Sequence, residues 1–193
     1  MILIQKKIMN LLNGSGIMKN KILCIVGKSA SGKSTVADYI NENYNIPTLQ
    51  SWTDRPKRSP DETGHTFVTP EEFNKFNNDD MIAFTKFGDK RYCCFHKDLK
   101  EKNLYVIDPT GLEFLKDNFS DRYDIKSMYI FRYASQRFKD AGYTRFIRYK
   151  GMYHLPTDYY DYYIMNTEGF NTTKQSIDEV VKDFFDNKVV LWQ

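Results

Sequence analysis

Gly27-Lys28-Ser29-Ala30-Ser31-Gly32-Lys33-Ser34-Thr35 is the stretch whose reading decides the fold. From Gly27 to Ser34 it fits G-x-x-x-x-G-K-[ST], the P-loop pattern, without a gap. Before it stands Ile22-Leu23-Cys24-Ile25-Val26, a short apolar run of the kind a strand buried on both faces requires. After it, Val36-Ala37-Asp38-Tyr39-Ile40 has the apolar spacing of a helix packed on a sheet. Strand, glycine loop and helix in that order are the context in which the pattern cradles phosphate. Glycines at 27 and 32 let successive backbone N–H groups turn inward on an anion. The helix opening near Lys33 adds its unbonded N–H groups and its positive dipole end. Lys33 then reaches the terminal phosphates as a point charge and the Ser34 hydroxyl holds Mg²⁺, with Lys28, Ser29, Ala30, Ser31 and Thr35 completing the loop. The cofactors expected are ATP and Mg²⁺.

A chain of 193 residues is one domain, with room for small insertions and for a substantial core. Its 41% apolar and 16% aromatic content argues against disorder. The formal charge of +3 is too small to imply nucleic acid and suits anionic ligands if the basic residues cluster. Cys24, Cys93 and Cys94 make no disulfide framework and no zinc spacing, which points to a reducing, cytoplasmic setting. His96 and His154 are isolated from any metal-ligand spacing. Residues 1–17 carry Ile2-Leu3-Ile4 and Ile8-Met9-Asn10-Leu11-Leu12, interrupted by Lys6 and Lys7, and are too short to span a bilayer. They are expected to be a loosely held tail, or to precede a working start at Met18. No membrane partner is expected.

Along the chain, Thr48-Leu49-Gln50-Ser51 is a second strand candidate. The segment from Trp52 to Gly64 holds two prolines and a cluster of Arg55, Lys57 and Arg58, which excludes a helix. His65 to Val68 reads as a strand, and Thr69-Pro70-Glu71-Glu72 as a helix start with a capping box and proline at the first position. Phe73 and Phe76 give that helix its apolar stripe. Ile82–Phe87 and Arg91–Cys94 read as strands around a turn at Gly88-Asp89. Leu104–Asp108 is a core strand ending in a carboxylate and followed by Pro109-Thr110-Gly111, and Ile125–Phe131 is another. A polar helix is expected over about 135–141, a last strand over Tyr162–Met165, and a closing helix on Ile177, Val180, Val181, Phe184 and Phe185. The alternation predicts an α/β fold: a parallel sheet covered by helices, with a β-rich insertion over 52–98 and core segments at 18–51 and 99–193. Ligands of such sheets bind at the carboxyl ends of the strands, around the P-loop, Asp108 and the segment after Ser51.

From about Lys21 onward the chain resembles the guanylate kinases, nucleoside monophosphate kinases of the P-loop class. The resemblance rests on Ser51-Trp52-Thr53-Asp54-Arg55-Pro56-Lys57-Arg58, similar to that family's S-x-T-T-R-x-P-R signature. An acidic stretch, Gly64, Phe67-Val68 and Glu71-Glu72-Phe73 follow, as in the family. The resemblance implies that Arg55 and Arg58 grip the acceptor's monophosphate with planar guanidiniums, aided by Ser51 and by His65 in the place of a tyrosine. It assigns Tyr92, Cys94 and Asp108 to the acceptor pocket. The guanine-reading glutamate falls on Ala83, and the first aspartate of a D-x-D strand on Val106, so much of the base reader is replaced. Arg137, Arg145 and Arg148 are the implied lid arginines over the transferring phosphoryl group, in a lid at about 137–152; Arg132 is equally well a helix-face residue. Asn166 matches the family's V-N-D position near the donor's adenine.

The activity implied is transfer of the ATP γ-phosphoryl group to a nucleoside or deoxynucleoside monophosphate, GMP or dGMP by default, in a monomer or homodimer that binds no nucleic acid. The alternatives are a kinase for another phosphate acceptor and a guanylate-kinase-like binding module without catalysis.

Overall fold

The structure, a computed structural model, describes residues 19–137, 139, 155–166 and 170–186. The tail at 1–17, Met18, Arg145, Arg148, His154 and most of the expected lid lie outside those residues.

The apolar run before the glycine loop forms β1 (Lys21–Val26), with five consecutive buried residues. It lies between β6 (Lys102–Val106) and β7 (Asp124–Phe131), and β8 (Tyr162–Met165) follows β7, all four strands parallel. Period-two alternation sends Leu23 and Ile25 to one face, against α1 (Lys33–Tyr44) and α4 (Phe170–Val181). Ile22, Cys24 and Val26 face the other way, toward α3 (Pro109–Phe119). Burial on both faces is why β1 is apolar throughout. The chain continues from β1 to a neighbour on one side, β6, and then to a neighbour on the other, β7. The carboxyl end of β1 is therefore a topological switch point, where a crevice opens.

The second sheet has the order β3-β2-β5-β4, built from β2 (Ser51–Thr53), β3 (His65–Phe67), β4 (Met81–Phe87) and β5 (Lys90–Phe95). β2 and β3 are parallel and the other pairs antiparallel. The turn between β4 and β5 places Gly88 at φ +64°, a conformation glycine adopts without strain. Phe73, Met81, Cys93 and Phe95, with Trp52 and Phe76 packed on them, give this sheet its own small core. The short α2 (Pro70–Phe73) has the expected capping box: Glu72 N–H donates to Thr69 Oγ1 at 3.1 Å and Thr69 N–H to Glu72 Oε2 at 2.7 Å.

Three expectations are corrected. The second strand begins at Ser51 and runs through Trp52 and Thr53; Thr48 makes only an isolated parallel bridge to Leu104. Pro109-Thr110-Gly111, which follows the strand, is the first turn of α3: Asp108 caps it, accepting from Gly111 N–H at 3.1 Å, and proline fits the first helical position. Phe76 packs in the small core from beyond the end of α2. The closing helix is α-helical to Val181 and continues as one π-helical turn over Lys182–Asp186, which still buries Phe184 and Phe185.

Candidate functional site

The glycine loop leaves β1 through three residues at positive φ: Gly27 at +154°, Ala30 at +57° and Gly32 at +98°. A Cβ on Gly27 would lie 2.5 Å from the Ile130 carbonyl oxygen, and one on Gly32 2.5 Å from Asn166 Nδ2. Gly27 therefore requires glycine for space as well as for torsion, and Gly32 for torsion, a Cβ there displacing the Asn166 amide from the loop. Ser31 N–H donates to Lys28 O at 3.1 Å and closes the turn. Lys33 Nζ folds back over the loop, donating to Gly27 O at 2.8 Å and Lys28 O at 3.0 Å. α1 opens at Gly32 with no side-chain cap, so its first N–H groups are left to the loop's concavity. Ser34 and Thr35 are exposed on its first turn.

Asn166, at the end of β8, braces this loop: its Nδ2 donates to Ser31 O at 2.8 Å and its backbone N–H to Phe131 O at 2.8 Å. Two arginines meet the same backbone. Arg132 Nη1 donates to Ala30 O at 3.4 Å. The buried Arg137 donates from Nε to Arg132 O at 3.2 Å and from Nη1 to Ser29 O at 3.5 Å.

A cavity of about 240 Å³ joins the loop to the second sheet. Gly27 and Lys33 border it from the loop; Ser51, Arg58, His65 and Tyr92 border it from the second sheet and its connecting segment. Ala83, Phe84, Thr85 and Phe87 of β4 form a wall, and Tyr105, Val106, Ile107, Asp108 and Gly111 complete the enclosure. One carboxylate oxygen of Asp108 is engaged in capping α3.

Arg55 and Arg58 differ in how they are presented. Arg58 borders the cavity, with its side chain 54% exposed, whereas Arg55 is buried and does not line it. Both terminal nitrogens of Arg55 bind Glu62, Nη2 to Oε1 at 2.9 Å and Nη1 to Oε2 at 3.1 Å, and Nη1 also donates to Pro56 O at 2.9 Å. Arg58 N–H donates to the same carboxylate at 2.6 Å. The Arg55 hydrogen bonds, followed by that from the Arg58 backbone, hold the Glu62 carboxyl down to about 2. His65 stacks edge-on against Tyr92 at 5.7 Å, and its buried Nδ1 has no hydrogen-bond partner. Burial, then the charge of Arg55, lowers its pKa, which favours the neutral ring. Asp54 fixes the end of β2 to β5, taking Arg91 Nε at 2.6 Å and Arg91 N–H at 2.7 Å.

Cys94 does not reach the cavity. Cys93 and Cys94 have no exposed surface, and burial pushes both thiols up to about 12. They point to opposite faces of β5, Cys93 into the small core with Phe73 and Phe95 and Cys94 into the cluster with Ala83 and Tyr105. His96 packs on Phe119 with Nδ1 2.5 Å from Tyr123 OH. Among the described residues no cluster of three or more His, Cys, Asp or Glu is placed to hold a metal, and no helix is long and apolar enough to cross a membrane.

Three participants were not singled out from sequence. Glu62 had a signal, an acidic residue four positions after Arg58 in a basic segment. Tyr105 had none, since its position in an apolar strand is that of a core residue. Thr85 had only period-two spacing from Ala83, which places both on one face of β4.

No family profile and no curated protein matches the sequence. Among solved structures, the fold is similar to guanylate kinase from Anaplasma phagocytophilum, with TM-score 0.63 and 20% identity over 87% of this chain and 88% of that one. An uncharacterized protein from Eubacterium ventriosum matches at TM-score 0.46 and 14% identity, over 88% of this chain and all (100%) of that one. A sugar kinase from a Janibacter species matches at 0.45 and 12%, over 86% and 95%. The first similarity establishes a guanylate-kinase-like α/β fold; the other two, below 0.5, carry no argument.

Proposed function

We propose that the chain is an ATP-dependent nucleoside monophosphate kinase of guanylate-kinase type, with GMP or dGMP as its default acceptor. The observation that carries this reading is a cavity bordered by Gly27 and Lys33 at the glycine loop and by Ser51, Arg58, His65 and Tyr92 from the second sheet and its connecting segment. A phosphoryl donor held by the loop and a phosphate held by Arg58 would meet there. Phosphoryl transfer requires little covalent chemistry from a protein, so positioning and charge carry most of the catalysis.

In this reading the loop's N–H groups and Lys33 hold the donor's terminal phosphates. Arg58 meets the acceptor's phosphate, Glu62 orients Arg55 and the Arg58 backbone, and Tyr92 and neutral His65 supply hydrogen bonds to phosphate oxygens. The buried Arg137 is placed by Ser29 O beside the loop, where a guanidinium offsets charge developing on the transferred group. The oxygen donors of exposed Ser34 and of Asp108 suit a hard cation, so the residues present fit Mg²⁺. Bound Mg²⁺ neutralises charge on the donor's phosphate oxygens.

The test is ADP formation from ATP and Mg²⁺ with each common nucleoside monophosphate in turn. Turnover with at least one is expected; none with any would sink the reading in favour of a binding module or a non-nucleotide acceptor. Lys33→Met should lower kcat by about 10²-fold or more, and Arg58→Ala should raise acceptor KM by about tenfold while leaving KM for ATP unchanged.

A further inference from the structure

Tyr105 belongs to the parallel sheet, where it pairs with Cys24 of β1, yet its phenol reaches the other sheet. Its hydroxyl lies 3.1 Å from Ser51 Oγ on β2, with either oxygen able to donate. It packs in one cluster with Ala83 and Cys94, which face each other across β4 and β5. Tyr105 and Ser51 both line the cavity, at 3% and 8% exposure, so the two hydroxyls meet between residues of its lining. The surrounding walls at Ala83, Phe84, Phe87, Val106 and Ile107 are apolar and suited to the faces of a flat ring. The lining also includes Thr85, whose hydroxyl is buried without a hydrogen-bond partner, and Asp108, one of whose carboxylate oxygens caps α3. Burial, ahead of the neighbouring Cys94, raises the phenol well above its ordinary value, so it stays a neutral O–H at working pH.

In such a pair one hydroxyl donates to the other, leaving one O–H proton for a ligand. That proton can go to a carbonyl oxygen or a ring nitrogen. The pair has no negative charge with which to take two N–H groups at once, as a carboxylate does. Ala83, beside it, adds no polar atom.

Resting on the kinase reading above, we infer that Tyr105, acting with Ser51, contacts the acceptor's base and sets its specificity, recognising an oxo or ring-nitrogen acceptor and leaving the 2-amino group of guanine unread. GMP and IMP, which differ only in that amino group, are then equivalent substrates.

The experiment measures initial rates with ATP and Mg²⁺ for GMP, IMP and AMP, using the wild-type chain, Tyr105→Phe and Ser51→Ala. The expected result is kcat/KM for GMP and IMP within about tenfold of each other, where a site that pairs with the amino group would separate them far more. Tyr105→Phe keeps the ring and removes the hydroxyl, and should lower acceptor kcat/KM by about tenfold with KM for ATP unchanged. If Tyr105→Phe fails to fold, Ser51→Ala gives the same readout from the other hydroxyl. A preference for GMP above about tenfold overturns the inference and leaves the kinase reading standing. So does turnover of AMP with neither GMP nor IMP accepted. Variants that lose ATP and acceptor use together, or lose neither, mark the pair as a strut between sheets and also overturn it. Turnover of no monophosphate overturns both readings.

Discussion

Glu62 organises the basic segment beside the cavity by charge. Its two oxygens take both terminal nitrogens of Arg55 and the Arg58 N–H, so one carboxylate fixes the shape of the segment from 55 to 62. Planar guanidinium and planar carboxylate match edge to edge, which is why the pair is bidentate. Glu62→Gln keeps the size and removes the charge. It is expected to raise acceptor KM by roughly tenfold while KM for ATP stays unchanged, since the donor loop shares no contact with Glu62. Equal effects on both substrates would count against a positioning role. Lys33 and Arg58 could be named from sequence because motif and charge run state them directly. The partner of Arg55 could not, because an acidic residue in a basic loop has several cations within reach until the backbone is fixed.

At the scale of elements, Asp161, just before β8, ties α3 to β7. It accepts from Lys116 of α3 at 3.0 Å, Lys126 of β7 at 3.0 Å, and from both Ser127 N–H and Ser127 Oγ at 2.8 Å. Burial works to raise its carboxyl, but the bonds from Lys126, Ser127 and Lys116 outweigh it and hold the group down to about 2. A carboxyl depressed in the folded state stabilises the fold above its ordinary value of about 3.9, and that contribution is lost as pH falls toward 2. Asp161→Asn should destabilise the chain by about 1–3 kcal/mol near pH 7 in urea denaturation. The difference from wild type should shrink between about pH 4 and pH 2; a constant difference would exclude the charge as its source. The helix α3, which supplies Lys116, had its cap and proline in plain sight at Asp108-Pro109. A Pro-x-Gly sequence serves equally well as a turn, and only packing of Leu112 and Leu115 under the sheet selects the helix.

Among the described residues, two sheets with their covering helices meet to make the cavity, and Gly111 sits at that junction. A Cβ there would lie 2.9 Å from Ile107 Cγ1, 3.0 Å from Ile107 Cδ1 and 3.1 Å from Thr85 Oγ1. The absent side chain lets α3 approach β4. Gly111→Leu should destabilise by about 1–3 kcal/mol through overpacking and lower acceptor kcat/KM, with nucleotide binding at the P-loop retained. If thermal stability and acceptor use are both unchanged, the junction is looser than the distances imply. The glycine loop with its strand and helix, the capping box and the closing amphipathic helix as far as Val181 were determined by sequence alone, because each depends on residues within a few positions of one another. Local torsion, capping and periodicity are written in neighbouring side chains. The Ser51–Tyr105 hydroxyl pair joins residues 54 positions apart on different sheets, and the burial of Cys94 depends on which face β5 presents inward. Tertiary structure alone decided those, since no local pattern states which strand a side chain will face. The glycine loop was therefore legible at first sight, while the polar floor of the cavity it opens onto emerged only when the two sheets were in place.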